Sequence, residues 1–266
     1  MFEPTDQRHK HAIREAVFAV LLAQPLTPDQ LQRFIAFGKT LTELPSNQFL
    51  QQLFPLPPAF PLEAVSGFAG SAFQSFKPDG TLSWRLLVQQ NQITVNCLDY
   101  ESWEAVWPRA KSYLTRTLDL FAGDVNVVVN IQLQYINAFH WRGDDQLVPD
   151  FGTLLNRRSE RIPAAFWERS SREWHVHQGW FEESTSLLPG KILRREHLTS
   201  QLEQNIGLTV MVDLMDRNDL RDPMPVGTLS NSLDDIFQSM RRRLRASLRD
   251  YLNEKVCIEI GAVPLS

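Results

Sequence analysis

The stretch Val125-Asn126-Val127-Val128-Val129-Asn130-Ile131-Gln132-Leu133-Gln134-Tyr135-Ile136-Asn137-Ala138-Phe139-His140-Trp141 decides the fold. Val125, Val127, Val129, Ile131, Leu133 and Tyr135 fall on odd positions, and Asn126, Asn130, Gln132 and Gln134 on even ones. That two-residue period is the mark of a strand with one buried face. Outward from this strand the same order of elements is read on each side: a strand, a helix, several antiparallel strands and a closing amphipathic helix. The expectation is an α+β protein with antiparallel sheets packed on two long amphipathic helices, in two similar β-α-β-β-α-like halves. Residues 1–123 form the first half and 124–266 the second, closely packed or joined as one domain.

On the N-terminal side, Ala12–Leu22 reads as a strand that Pro25 ends. Thr27, Pro28 and Gln30 then announce a helix through a capping box with proline at the first helical position. Ser46–Leu53 reads as a helical turn, and Pro55, Pro57, Pro58 and Pro61 enforce an extended connector because each fixes φ and lacks an amide donor. Phe68–Phe76 and Leu82–Gln89 flank a Pro78-Asp79-Gly80 turn as a hairpin, with Ile93–Leu98 as a third strand. From Trp103 to Phe121, Trp103, Val106, Trp107, Ala110, Tyr113, Leu114 and Leu118 recur at helical spacing. Pro108 is expected to kink this helix or mark its start, and Gly123 to close it.

On the C-terminal side a short helix is expected near Phe151–Arg158. Strands follow at Arg172–Phe181, Lys191–Glu203 and Leu208–Leu214, and Asp216–Thr228 reads as a loop. A long helix over Ser232–Lys255 buries Leu233, Ile236, Phe237, Met240, Leu244, Leu248, Tyr251 and Leu252.

The totals set limits on function. A chain of 266 residues with 43% apolar content, 16 Phe and 7 Trp has large aromatics to bury. No run approaches the roughly 18 apolar residues of a membrane helix. Glu3, Asp6 and Glu15 surround the apolar run Ala16–Ala23, where an export signal carries positive charge. Cys97 and Cys257 are too few and too far apart for a disulfide framework, so the expectation is a soluble, cytoplasmic protein without membrane contact. A net charge of −4 argues against a general nucleic-acid coat.

Two constellations carry candidate chemistry. His175 and His177 alternate on a strand, Glu182 follows after four residues and His197 can add a fourth ligand, an arrangement similar to the first metal motif of cupins. The glycine of that motif is replaced by Arg169, and the competing reading is surface imidazoles on a strand whose tryptophans face the core. Arg241, Arg242, Arg243, Arg245 and Arg249 make the last helix basic, which suits phosphates, an acidic partner or plain solvation. Asp144, Asp145 and Asp150 lack a calcium-loop pattern and read as turn residues. Arg157, Arg158, Glu160 and Arg161 read as solvated helix-end charges, since no glycine-rich turn accompanies them. Neither a nucleophile elbow nor a dinucleotide fingerprint occurs, so no catalytic residue and no cofactor is assigned. Asn137 interrupts the apolar face of the central strand and reads as a tie to a neighbouring strand.

Ile13-Arg14-Glu15-Ala16-Val17-Phe18-Ala19-Val20, the strand Gln92–Cys97 with Tyr100 and Trp103, and Leu133-Gln134-Tyr135-Ile136-Asn137 together resemble a sporadically distributed family of uncharacterised prokaryotic proteins of about this length. Members carry Arg-Tyr-Ile-Asn in the central strand, where Gln134 stands in for the arginine. The resemblance implies a shared fold and assigns no catalytic residue. The leading expectation is a non-enzymatic interaction subunit of a bacterial accessory system such as phage defence or toxin–antitoxin, whose partner is another protein of the same operon. A metal-dependent cupin-like enzyme and a nucleic-acid-binding protein using the arginine helix are the alternatives, and homo-oligomerisation is open.

Overall fold

The computed structural model describes residues 1–5, 10–51, 68–124, 126–144, 147–169, 171–184, 188–204 and 206–262. The proline connector Pro55–Pro61, Val125 and Asp145 lie outside the described residues. The strands are β1 (Phe2–Pro4), β2 (Ile13–Leu22), β3 (Ser46–Gln51), β4 (Phe68–Phe76), β5 (Leu82–Gln89), β6 (Gln92–Cys97), β7 (Val127–Trp141), β8 (Trp174–Ser184), β9 (Gly190–Glu203) and β10 (Gly207–Pro225). The helices are α1 (Pro28–Gly38), α2 (Trp103–Asp119), α3 (Ala164–Arg169), α4 (Val226–Leu229), α5 (Leu233–Tyr251) and α6 (Glu254–Glu259), with a 3-10 turn at Phe151–Thr153. None of the described helices is long and apolar enough to cross a membrane.

The ten described strands join one sheet in the order β3-β4-β5-β6-β2-β7-β10-β9-β8, with β1 pairing on β7. This corrects the expectation of an α+β molecule whose separate antiparallel sheets rest on two long helices in two similar halves. Among the described residues strand takes 43% against 29% helix, so the molecule is organised by a single antiparallel sheet. The physical reason lies in β7, which pairs along one edge with β2 and β1 and along the other with β10. A strand bonded on both edges cannot be the border of a second sheet.

The alternation read in the central strand holds from Ile131, with Ile131, Leu133, Tyr135 and Phe139 buried and Gln132 and Gln134 half-exposed. It reverses nearer the start, where Val128 is buried and Val127 and Val129 are half-exposed. The ladders shift register at that point, between Leu21 and Leu22 of β2 and between Asp219 and Met224 of β10. Such an irregularity turns the following residues to the other face.

Two local readings fail for related reasons. Ser46–Gln51 pairs antiparallel with β4 instead of forming a helical turn, because six residues with only Phe49 and Leu50 apolar carry no period that distinguishes the two, and the β4 edge supplies the ladder. The loop expected from Asp216 belongs mostly to β10, which continues past the register shift to Pro225. Pro223 and Pro225 sit at or beyond that shift, where a missing amide costs no ladder bond. Gly190 opens β9 at φ +154, and a Cβ there would lie 2.0 Å from the Asp219 carbonyl oxygen. Only glycine allows β9 and β10 to approach so closely.

The helices cover one face. Thr27 and Gln30 form the capping box of α1, Ser102 caps α2 by accepting from the Ala105 amide, and α2 runs unbroken through Pro108 to stop short of Gly123. Over the β2–β7 seam, Phe18 meets Trp103 and Trp107 of α2 and Phe237 of α5 at ring-centroid distances of 6.0, 5.6 and 5.6 Å. Trp107 Nε1 donates to Asp234 Oδ1 at 2.8 Å, tying α2 to the start of α5. The cysteines are free and buried, and burial pushes the Cys97 thiol up to about 12.

Truncating Phe18 to alanine is expected to cost about 3–5 kcal/mol of folding free energy, because the ring joins both helices to the seam. The same change at the half-exposed Phe76 should cost less than about 0.5 kcal/mol. Urea unfolding of the two variants checks the contrast.

Candidate functional site

The arginines of α5 do not form one basic surface. Arg242 is exposed and Arg249 half-exposed, while Arg243 turns onto the sheet and forks onto Asp216 through Nε at 2.6 Å and Nη2 at 3.1 Å. Arg241 and Arg245, one helical turn apart, line a cavity of about 180 Å³ between α5, the start of α2 and the β2–β7 seam.

That cavity is built from segments distant in sequence. Tyr135 and Asn137 come from β7, Tyr100 and Trp103 from the entry to α2, and His11 from the segment before β2. Arg241 is only 8% exposed, with its Cζ 4.9 Å over the Trp103 ring and its Nη2 3.7 Å from the exposed Glu104 carboxylate. Arg245 donates to the Gly261 carbonyl at 2.8 Å, and its pKa is lowered by burial and then by the neighbouring Arg241 charge. Asn137, 1% exposed, donates to the Val212 carbonyl of β10 at 3.2 Å, while its Oδ1 is buried without a hydrogen-bond partner. The Tyr135 hydroxyl is buried beside the Tyr100 hydroxyl and within the field of Arg241 and Arg245. Burial pushes the Tyr100 phenol up to about 12 and raises that of Tyr135 well above its ordinary value, so both stand protonated at neutral pH. His11 accepts from the Ile13 amide at Nδ1, which leaves its hydrogen on Nε2 to meet the Tyr100 carbonyl at 2.8 Å and fixes that wall.

Beyond the cavity, α5 is stitched to β8, β9 and β10 by buried polar groups. Glu196 accepts from Arg161, from Gln178 at 3.1 Å and from the Tyr251 hydroxyl at 2.5 Å. Burial, then the bond to Glu196, raises the Tyr251 pKa. Arg161 also reaches Asp250 at 2.7 Å, so its reading as a solvated helix-end charge is corrected. Arg194 donates to Ser247 Oγ at 2.7 Å and lies 3.9 Å from Asp216. Of the other charges in that stretch, Arg158 and Glu160 are exposed and Arg157 pairs with Asp150 at 2.6 Å.

On β8 and β9 the candidate ligands divide. His175 and His177 share the face away from the helices, and His197, directly opposite His177, joins them with ring centroids 5.5 Å apart. Glu182 has the opposite parity in an unbroken ladder and accepts from Trp180 Nε1 at 2.7 Å on the other face. No group of three or more potential ligands close enough for a metal ion occurs among the described residues. β8 also ends the sheet, so its outer edge meets no second strand among the described residues. His175, His177, Gly179 and Phe181 are exposed along it, Phe181 at 61%.

The chain matches no family model and no curated protein. Its functional reading therefore rests on its own geometry.

Replacing Asp216 with alanine strands Arg194 and Arg243 at a buried position and is expected to cost about 3–5 kcal/mol, read by urea unfolding. Lys111→Ala, which breaks the ion pair with Asp234 and leaves the Trp107–Asp234 bond in place, should cost no more than about 1 kcal/mol. Burial lowers the pKa of His197 and His140 in the folded state, so the unfolded state binds more protons as pH falls. Their contribution is complete above an unfolded pKa of about 6.5 and is lost as pH falls through the lower folded values. Urea midpoints measured between neutral and mildly acidic pH should fall, and His197→Gln should flatten that dependence.

Proposed function

We propose that this chain is a non-enzymatic interaction subunit that docks an extended strand of a partner protein on the outer edge of β8. The observation that supports it is the edge itself: eleven residues in unbroken register, without lysine, proline or bulge, whose charges are confined to Glu182 and Glu183 near its end. Edge strands are ordinarily blunted by just those devices, because their unpaired amides and carbonyls recruit other strands. An added strand would gain main-chain hydrogen bonds from β8 and side-chain contacts from His175, His177 and Phe181. A cytoplasmic accessory system, with the partner encoded beside this chain, fits this role and the family resemblance of the β2, β6 and β7 motifs.

The basic-helix route to nucleic acid is less favoured, since Arg241, Arg243 and Arg245 are engaged at the cavity or at Asp216 and leave Arg242 and Arg249 outward. The cupin-like route is less favoured because Glu182 lies across the sheet from the histidines.

His175→Lys with Phe181→Lys places two charges on the edge without touching the core. The full chain recovered from its host should retain a partner in fixed stoichiometry, and the double variant should lose it while keeping its melting curve. Hydrogen exchange of the β8 amides should slow in the complex. A partner retained equally by both proteins, or β8 amides that exchange alike with and without it, would overturn the reading.

A further inference from the structure

A cleft lies at the C-terminal end of α5, apart from the β8 edge. Its floor is Leu252 and Cys257, both buried, and Ile258 of α6 stands at its mouth with 61% of its surface exposed. The volume of about 460 Å³ lies within the roughly 300–1,000 Å³ of small-molecule sites, which combine apolar walls with a few placed polar groups. The polar groups here are Asn156 and Arg158 from the turn after Leu155, Arg249 from the last turn of α5 and Glu254 from the first turn of α6. A hollow of about 300 Å³ over Gly152 and Asn253 adjoins the cleft and shares Asn156, Arg158 and Glu254 with it.

The walls are tied together by the backbone. Leu155 pairs with Leu252 as a β-bridge, the Asn156 amide donates to the Tyr251 carbonyl at 2.8 Å, and the Asn253 amide donates to the Leu154 carbonyl at 2.8 Å. Asn253 then caps α6 by accepting from the Lys255 amide at 3.0 Å. Arg157 pairs with Asp150, but among the described residues neither Arg158 nor Arg249 is ion-paired. Burial raises the pKa of the Cys257 thiol, and the charges of Arg249 and Glu254 act on it in opposite senses, so both reach the floor. Two cations against one carboxylate leave the cleft with positive charge in excess.

We propose that this cleft binds a medium-chain aliphatic carboxylate. Arg158 and Arg249 hold the carboxylate, whose two oxygens suit their forked donors, and the chain lies along Leu252, Cys257 and Ile258. The six residues of α6, about 9 Å long, set the reach of that chain. Covering Ile258 and the floor removes apolar surface from water, which adds affinity that an exposed ion pair alone does not supply. The excess charge selects an acid over an amine of the same chain, and the apolar floor selects a chain over a bare anion.

Calorimetric titration of the full chain at low ionic strength with octanoate, acetate and octylammonium separates these two contributions. Octanoate should bind at one saturable site with a Kd of about 1 mM or tighter, and the other two at least about tenfold more weakly. Arg158→Gln and Arg249→Gln should each weaken octanoate binding about threefold to fivefold, and Ile258→Glu about tenfold or more. Glu254→Gln removes the opposing charge and should strengthen binding about twofold. All four side chains are exposed or half-exposed, so each variant should keep the wild-type melting curve. No saturable octanoate binding at about 10 mM, equal binding of octylammonium, or octanoate binding unchanged in both arginine variants would overturn the proposal.

Discussion

Everything in this molecule depends on the double pairing of β7. Along its fifteen residues it is bonded to β2 and then β1 on one side and to β10 on the other, so the strand is the shared spine of the ten described strands. With both edges occupied, its even-numbered glutamines lie on the open face and, from Ile131 onward, Ile131, Leu133, Tyr135 and Phe139 lie beneath the helices. The helices converge there for the same reason, since the β2–β7 seam presents Phe18, Leu133 and Phe139 together. Burial of such a contiguous aromatic and aliphatic surface is the dominant favourable term in folding.

The seam also explains where polar groups are tolerated. A helix crossing a wide sheet cannot fill every depression with apolar side chains, and α5 meets the sheet through two different solutions. Over β9 and β10 the gap is closed by the ion pairs and hydroxyls around Asp216 and Glu196, in which each charge has a partner. Over the seam it stays open as the cavity lined by Arg241, Arg245 and Asn137, in which one amide oxygen has none. Buried polar groups are nearly always satisfied, and each arrangement keeps one exception, Arg194 Nε in the first and Asn137 Oδ1 in the second.

Much of the local structure was legible in the sequence and the global arrangement was not. The alternation in β7, the Thr27–Gln30 capping box and the apolar stripe of α2 are short-range patterns, and each leaves its mark within a few residues. The merging of all strands into one sheet depends on Ala16 facing Tyr135 and Leu214 facing the same residue from the other side, long-range pairings that no period in the sequence encodes. The β10 extension was hidden by Pro223 and Pro225, which signal a loop unless the register shift is known. Candidate-site legibility followed the same line. The arginine run was visible, but its division was not, because Asp216 lies 27 residues from Arg243 and the cavity joins residues from both ends of the chain. The failure of the metal set was readable in principle, since Glu182 has even parity and the two strand histidines odd.

The most direct test of this account is native-state hydrogen exchange across β2, β7 and β10. If β7 is the common spine, amides in the middle of all three strands exchange only through global unfolding and share one opening free energy. If β2 exchanges through a separate opening of markedly lower free energy than β10, the seam is a contact between independent units and the single-sheet account is wrong.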